Sequence, residues 1–219
     1  MTAFDEIVAM VAERSNLEAD GYRTDDRTWV NGSIQQRDRI AAIADYAARR
    51  WAGDFIEIGC LHGGTTRRLA SVARLHGRRI VCVDPWPSKC PIAGTDYGKD
   101  PFATFKAAML DWWDLLDIIK ASSMDAATIA AVKTRPLCFA FVDGLHTYEA
   151  AASDIATVAH CIGIIAVDDI GWEPGVARAF WEGAGNLSRD ALHNKLNREG
   201  YIGPPRDGEP RRVVVERDL

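Results

Sequence analysis

Four apolar runs in this chain each stop at a turn or an acid. Phe55-Ile56-Glu57-Ile58 runs into Gly59 and then Gly63-Gly64, and Ile80-Val81-Cys82-Val83 stops at Asp84. Cys138-Phe139-Ala140-Phe141-Val142 stops at Asp143, and Ile162-Gly163-Ile164-Ile165-Ala166-Val167 stops at Asp168-Asp169. Short runs with so little polar alternation are the pattern of parallel strands covered by helices on both faces. In open sheets of that kind, ligands sit beyond the carboxyl ends of the strands, where the strand order reverses. A glycine-rich turn and several carboxylates are therefore expected to meet at one edge, and that meeting point is the expected site.

The rest of the chain supplies the helices such a sheet needs. An amphipathic helix is expected over 3–15, with Phe4, Ile7, Val8, Val11 and Ala12 on one face. After a polar stretch over 17–31, Asn31 or Ser33 is placed to cap a second helix reaching Trp51, with Ile40, Ile43, Ala44 and Ala47 inward. Strands at 55–58, 79–83, 116–120, 137–142 and 164–167 then alternate with helices at 65–75, 101–113, 125–132 and 148–160. Two further helices are expected at 174–181 and 190–198, the second capped by Gly200, before a last strand at 212–216. Such alternation implies a doubly wound α/β sheet. The 219 residues make one domain. Its parts are a helical cap over 1–52 and a core over 53–219, with a mobile flap at about 85–100, in which 87–99 holds two prolines, two glycines and no apolar period.

Composition narrows the partners. A net charge of −5 offers no basic patch for nucleic acid. No apolar stretch is long enough to span a bilayer, and the start, Met1-Thr2-Ala3-Phe4-Asp5-Glu6, lacks the basic and apolar regions of a signal peptide. Five cysteines without metal-type spacing read as core residues in a reducing compartment, so a cytoplasmic protein is expected.

The turn Glu57-Ile58-Gly59-Cys60-Leu61-His62-Gly63-Gly64-Thr65 follows a strand and opens a helix. Three residues between Gly59 and Gly63 depart from the G-x-G-x-x-G dinucleotide fingerprint, and no Gly-Lys-Ser/Thr ending marks a P-loop. A ligand that presents a carboxylate to the helix amino end is favoured over a pyrophosphate. Asp84 ends the next strand, where an acid can hold both hydroxyls of a ribose. The plainer reading is that the glycines only shape a tight turn and Asp84 starts a loop.

Glu57-x-Gly59-x-x-x-Gly63 followed by Val83-Asp84 resembles the first two motifs of class I S-adenosylmethionine-dependent methyltransferases. The stretch Phe141-Val142-Asp143-Gly144-Leu145-His146-Thr147-Tyr148-Glu149, with Asp154 and Asp168-Asp169 beyond it, is similar to metal-dependent sugar and macrolide O-methyltransferases and to cephalosporin-hydroxylase-like proteins. Where that family commonly has Pro-Gly-Gly, this chain has Cys161-Ile162-Gly163, a change in a turn and not in the site.

The resemblance implies a Rossmann-like, mostly parallel sheet of seven strands in the order 3-2-1-4-5-7-6. That order would bring Asp143 and Asp168-Asp169 beside the glycine turn. Three carboxylates there would raise one another's pKa, and no basic partner is evident nearby in the sequence. A divalent cation, Mg²⁺, Mn²⁺ or Ca²⁺, would relieve them, with Asp143, Asp168 and Asp169 as ligands. The alternative for Asp143 is simply to cap the helix that follows it.

S-adenosylmethionine would be held by Glu57, Gly59, Cys60, Gly63, Gly64, Thr65, Asp84, Trp86, Ser122, Ser123 and Asp143. Trp86 is placed to stack on adenine or close the entrance, while Trp112 and Trp113 share a stripe with Phe105 and Met109 and read as core. Trp172 and Glu173 are expected on the acceptor side. Asp143 and His146 are the expected catalytic residues, His146 as general base. The reaction expected is O-methylation of a small-molecule hydroxyl, on a sugar or polyketide-type natural product, and a homo-oligomer is compatible with it. A nicotinamide-dependent oxidoreductase and a non-catalytic nucleoside-binding module on the same fold are the alternatives.

Overall fold

The computed structural model describes residues 1–19, 34–194, 198–206 and 212–216. The polar stretch and the two cap candidates before the second helix fall largely or wholly outside them. Strand β1 (Asp54–Ile58) pairs in parallel with β2 (Ile80–Val83) and β4 (Leu137–Val142). Strand β3 (Leu116–Ile119) extends the sheet beyond β2, and β5 (Ile164–Val167) beyond β4. The strands β6 (Ala191–Asn194), β7 (Gly200–Ile202) and β8 (Val213–Glu216) complete one eight-stranded sheet, ordered β3-β2-β1-β4-β5-β7-β6-β8. The expected seven-strand order is present, with β8 added at the edge beside β6. Among the described strands, only β7 runs against its neighbours, β5 and β6.

Alternation along the central strands sorts side chains into two cores. Phe55, Phe139 and Phe141 face a cluster with Ile7, Ile43, Leu69 and Phe105. Ile56, Ile58, Ala140 and Val142 face one with Ile155, Ile165 and Phe180. That is the period-2 rule of a strand buried on both sides. The first face is covered by α1 (Ala3–Ala19), α2 (Ile34–Arg50), α3 (Gly64–His76) and α4 (Pro101–Ala108). The second is covered by α5 (Ala126–Lys133), α6 (Tyr148–Thr157) and α7 (Pro174–Asn186). No helix among the described residues is long and apolar enough to cross a membrane.

Local chemistry sets the helix ends. Asp100 caps α4 by accepting from the Ala103 amide at 2.9 Å, with Pro101 in the first turn, and Thr147 caps α6 through the Ala150 amide at 3.2 Å. The expected helix over 101–113 is broken: α4 stops at Ala108 and a 3-10 turn follows from Leu110 to Leu115. A second correction concerns 190–198, where strand β6 replaces the expected helix over Ala191–Asn194. Its Ala191 and Leu192 are fully buried and its backbone is paired on both sides, by β7 and β8, so sheet pairing overrides the helical pattern. Gly200 is accordingly not a helix cap but the first residue of β7; a Cβ there would lie 2.2 Å from the Ile170 side chain.

Candidate active site

The glycine turn joins β1 to α3 and is pressed against the turn after β4. Gly59 has φ +91°, and a Cβ on it would fall 1.8 Å from the Asp143 carbonyl oxygen. Only glycine permits this approach. Gly63 adopts a left-handed conformation at the start of α3, and no side chain caps that helix. The first-turn amides of Gly64 and Thr65 therefore carry no side-chain acceptor, which suits the carboxylate of an amino-acid ligand.

Asp84 secures this turn. One of its oxygens accepts from the Leu61 amide at 2.9 Å and the other from the Trp86 amide. Leu61 and Trp86 both have positive φ, 43° and 48°, and the Trp86 indole N–H donates to the Leu61 carbonyl at 2.7 Å. The Trp86 ring is buried, 4.9 Å from both Phe102 and Phe105, so it packs the turn onto α4. Cys60 is buried below the turn. Glu57 lies in β1 at 1% exposure; burial, with Asp143 and Asp84 adding to it, pushes its carboxyl up to about 8. Ser122 accepts from the Met124 amide at 3.2 Å in the loop after β3. The segment expected as a mobile flap contains a small hairpin with cross-bonds at 90–95 and 88–97, and His62 meets the Tyr97 carbonyl at 3.0 Å.

The carboxylates converge as expected from the strand order. The Asp143 amide donates to Ile58, and the Asp168 amide to Val142, at 2.8 and 2.9 Å. His146 Nε2 lies 3.3 Å from Asp143 and its Nδ1 3.1 Å from Asp169. With a carboxylate at each ring nitrogen, the imidazole is held as the cation. Its pKa rises to about 9, first through the hydrogen bond to Asp143 and then through the charges of Asp143, Asp169 and Asp168. Burial drives the Asp168 carboxyl well above its usual range, with Asp143 and Asp169 contributing.

The expectation that these acids lack partners is overturned. Asp169, at φ +58°, accepts from Arg198 Nε at 2.7 Å and pairs with its Nη2 as well. Asp168 accepts from Gln36 at 2.7 Å, a residue of α2 that is itself buried. Ligand atoms of Asp143, His146 and Asp169 all lie within 4.8 Å of one another. One imidazole nitrogen and two carboxylates suit a divalent first-row or alkaline-earth cation, so the residues fit such an ion. Asp168 stands beside this group, tied to α2. Repulsion among bare carboxylates is thus no longer the argument for a metal; the donor set is.

Gln36 and Arg198 were missed from sequence. Buried polar residues early in α2 carry no period that marks them, and Arg198 lay in the segment read as a helix. Trp172, expected on the acceptor side, is 69% exposed, with the Arg198 guanidinium 4.9 Å from its ring.

A family model described as a methyltransferase domain matches residues 56–170. No curated protein sequence matches the chain significantly. Among solved structures, the O-methyltransferase NovP is 15% identical with a TM-score of 0.63, covering 94% of this chain and all of its own. CalS11, a TDP-rhamnose 3'-O-methyltransferase of calicheamicin biosynthesis, is 13% identical with a TM-score of 0.59, over 90% of this chain and 93% of its own. An O-methyltransferase from Bacillus cereus in complex with SAH is 14% identical with a TM-score of 0.56, over 89% of each chain. At these identities the structures speak to the fold, while the family model spans more than half of the sequence and takes in both the glycine turn and the paired aspartates. The chain belongs to the methyltransferase-domain family and has the class I S-adenosylmethionine-dependent methyltransferase fold.

Proposed function

We propose that this protein transfers a methyl group from S-adenosylmethionine to a hydroxyl of a small molecule, with a divalent cation held by Asp143 and Asp169 and with His146 beside it as the base. The observation that carries the reading is the convergence of those three side chains from the turns after β4 and β5, the first of which is pressed against the glycine turn at Gly59. The sugar and natural-product O-methyltransferases that share the fold support a sugar or polyketide-type hydroxyl as the acceptor.

The donor supplies an electrophilic sulfonium methyl, so the protein's main task is alignment of an oxygen with it. The amino end of α3, with Gly63, Gly64 and Thr65, would hold the donor's carboxylate, and Gly59 and Cys60 would let its chain approach the backbone. Asp84 would hold the ribose hydroxyls and Ser122 and Ser123 would border the adenine, while Trp86 packs the turn onto α4 and Glu57 sets the polarity beneath it. A bound divalent cation lowers the pKa of a hydroxyl it coordinates. With a cation there to oppose the second proton that Asp143 and Asp169 hold on His146, its imidazole is neutral and placed to take the hydroxyl proton. Gln36 holds Asp168 in place from α2.

Calorimetry with S-adenosylhomocysteine, NAD and ATP tests the cofactor: tight binding of the first alone supports the reading, and preference for NAD overturns it. Methyl transfer to a panel of sugar and phenolic hydroxyls, with and without EDTA, tests the rest. Full turnover in chelator would remove the cation from the mechanism.

A further inference from the structure

Behind the Asp143–His146 turn runs a narrow cleft, wide enough for about one water molecule and bordered by Asp143, Gly144, His146, Asp154 and Asp168. Asp154 comes from α6 and is wholly buried. Neither of its carboxylate oxygens has a hydrogen-bond donor in good geometry. It faces the turn directly, because a Cβ on Gly144 would lie 2.8 Å from Asp154 Oδ2. On another side is Ser123, whose hydroxyl is near enough for a weak hydrogen bond that lowers the carboxyl's pKa, though it falls outside good hydrogen-bonding geometry. Burial pushes this carboxyl up to about 6. A polar group sealed away without a partner is costly, and native proteins nearly always satisfy it, often with ordered water. An apolar residue would suit the surrounding Val142, Ala151, Val167 and Val176 better.

We propose that Asp154 is a positioning residue for methyl transfer: through one ordered water it ties the turn carrying Asp143 and His146 to the loop carrying Ser123. The inference rests on the methyltransferase reading above, since those two loops border the donor on its reacting and adenine sides. The tie explains why an acid occupies an otherwise apolar pocket. It also explains the glycine at 144, where any side chain would displace the carboxylate. Asp154 touches neither substrate and acts only through the loops it joins.

The test uses the full chain and the variants Asp154→Asn, Asp154→Leu and Ser123→Ala. A crystal structure of the unmodified protein should show a water within hydrogen-bonding distance of the Asp154 carboxylate and of the 144 turn or Ser123. D154L should keep its melting temperature at pH 8 yet lose at least tenfold in kcat, with a several-fold weaker Kd for S-adenosylhomocysteine. D154N, which keeps an acceptor oxygen, should recover kcat to within about threefold of the unmodified enzyme, and S123A should lose less than D154L. A purely structural role would instead lower the melting temperature and leave kcat per folded molecule unchanged, which would overturn the proposal. So would D154L with full kcat, or a cleft without water in a well-ordered crystal. Should D154L fail to fold, the crystal structure and the kcat of D154N and S123A decide. An unmodified protein that binds no S-adenosylhomocysteine sinks the functional reading instead, and the crystal structure still reports on the tie.

Discussion

At the scale of single residues, the chemistry depends on a few side chains whose surroundings constrain them on every side. His146 lies between two carboxylates, so replacing it removes the base and, in the ligand-free protein, the positive charge that neutralises them. H146A is expected to lower kcat by about 10²–10⁴-fold, the usual reach of a general base, with S-adenosylhomocysteine affinity by calorimetry little changed; equal loss of both would argue for collapse of the turn instead. Gly59 is a different kind of residue, needed for its absent side chain. G59A puts a Cβ into the Asp143 carbonyl at a backbone conformation that alanine resists. We expect a loss of more than about 3 kcal/mol in urea denaturation, among the large effects reserved for strained or overpacked sites. Gly59, Asp84, Asp143 and Asp169 were legible in the sequence because each stands where an apolar run stops, and His146 through the family-like motif three residues beyond Asp143. Asp168 was legible as part of the pair, but its bond to Gln36 was not, since helix α2 is more than a hundred residues away. Trp86 was assigned to the adenine or the entrance from its place beside Asp84, and in the structure its ring fills the space between the turn and α4.

At the scale of elements, α2 joins the first face of the sheet to the site. Its Arg39 forms an ion pair with Glu199, next to β7, with side chains 3% and 0% exposed. Tyr201 donates to the same carboxylate at 3.2 Å, and the other oxygen of Glu199 has no partner. Removing one member of such a pair strands a buried charge, which typically costs about 3–5 kcal/mol. R39M should therefore lower the urea midpoint substantially. E199Q should lower it as well, because it leaves the buried Arg39 guanidinium, which cannot shed its charge, without the Glu199 anion, although the amide oxygen still accepts from Tyr201. Equal midpoints for R39M and the unmodified protein would show that the pair contributes nothing. The central strands β1, β2, β4 and β5 were readable because a fully buried strand must be apolar throughout. Strand β6 was not: Ala191-Leu192-His193-Asn194 has no alternation to distinguish it, and only its pairing with β7 and β8 makes it extended. The helix over 101–113 was likewise legible as a helix, but its break after Ala108 was not.

At the scale of the whole molecule, the sheet gathers acids at one pole, and burial rather than any single neighbour dominates the behaviour of Glu57, Asp154 and Asp168. Glu57 rises to about 8 and Asp154 to about 6 in the folded chain. A carboxyl whose pKa is raised on folding binds more protons in the native state, so its contribution is fully present below the unfolded pKa. It is lost as pH rises toward the folded one. Stability without ligand should thus decline from about pH 4.5 to about pH 8, read as a falling melting temperature, and E57Q should flatten the upper part of that decline. A curve for E57Q parallel to that of the unmodified protein would contradict the assignment. By itself the sequence determined the α/β class, the position of the glycine turn and the acids at the strand ends, since uninterrupted apolar runs, turn glycines and terminating carboxylates are local signals. Tertiary structure alone decided which basic and polar groups meet those acids, the extended state of β6 and the burial of Asp154. These depend on contacts between residues far apart in the chain, and no local pattern records which surfaces packing brings together.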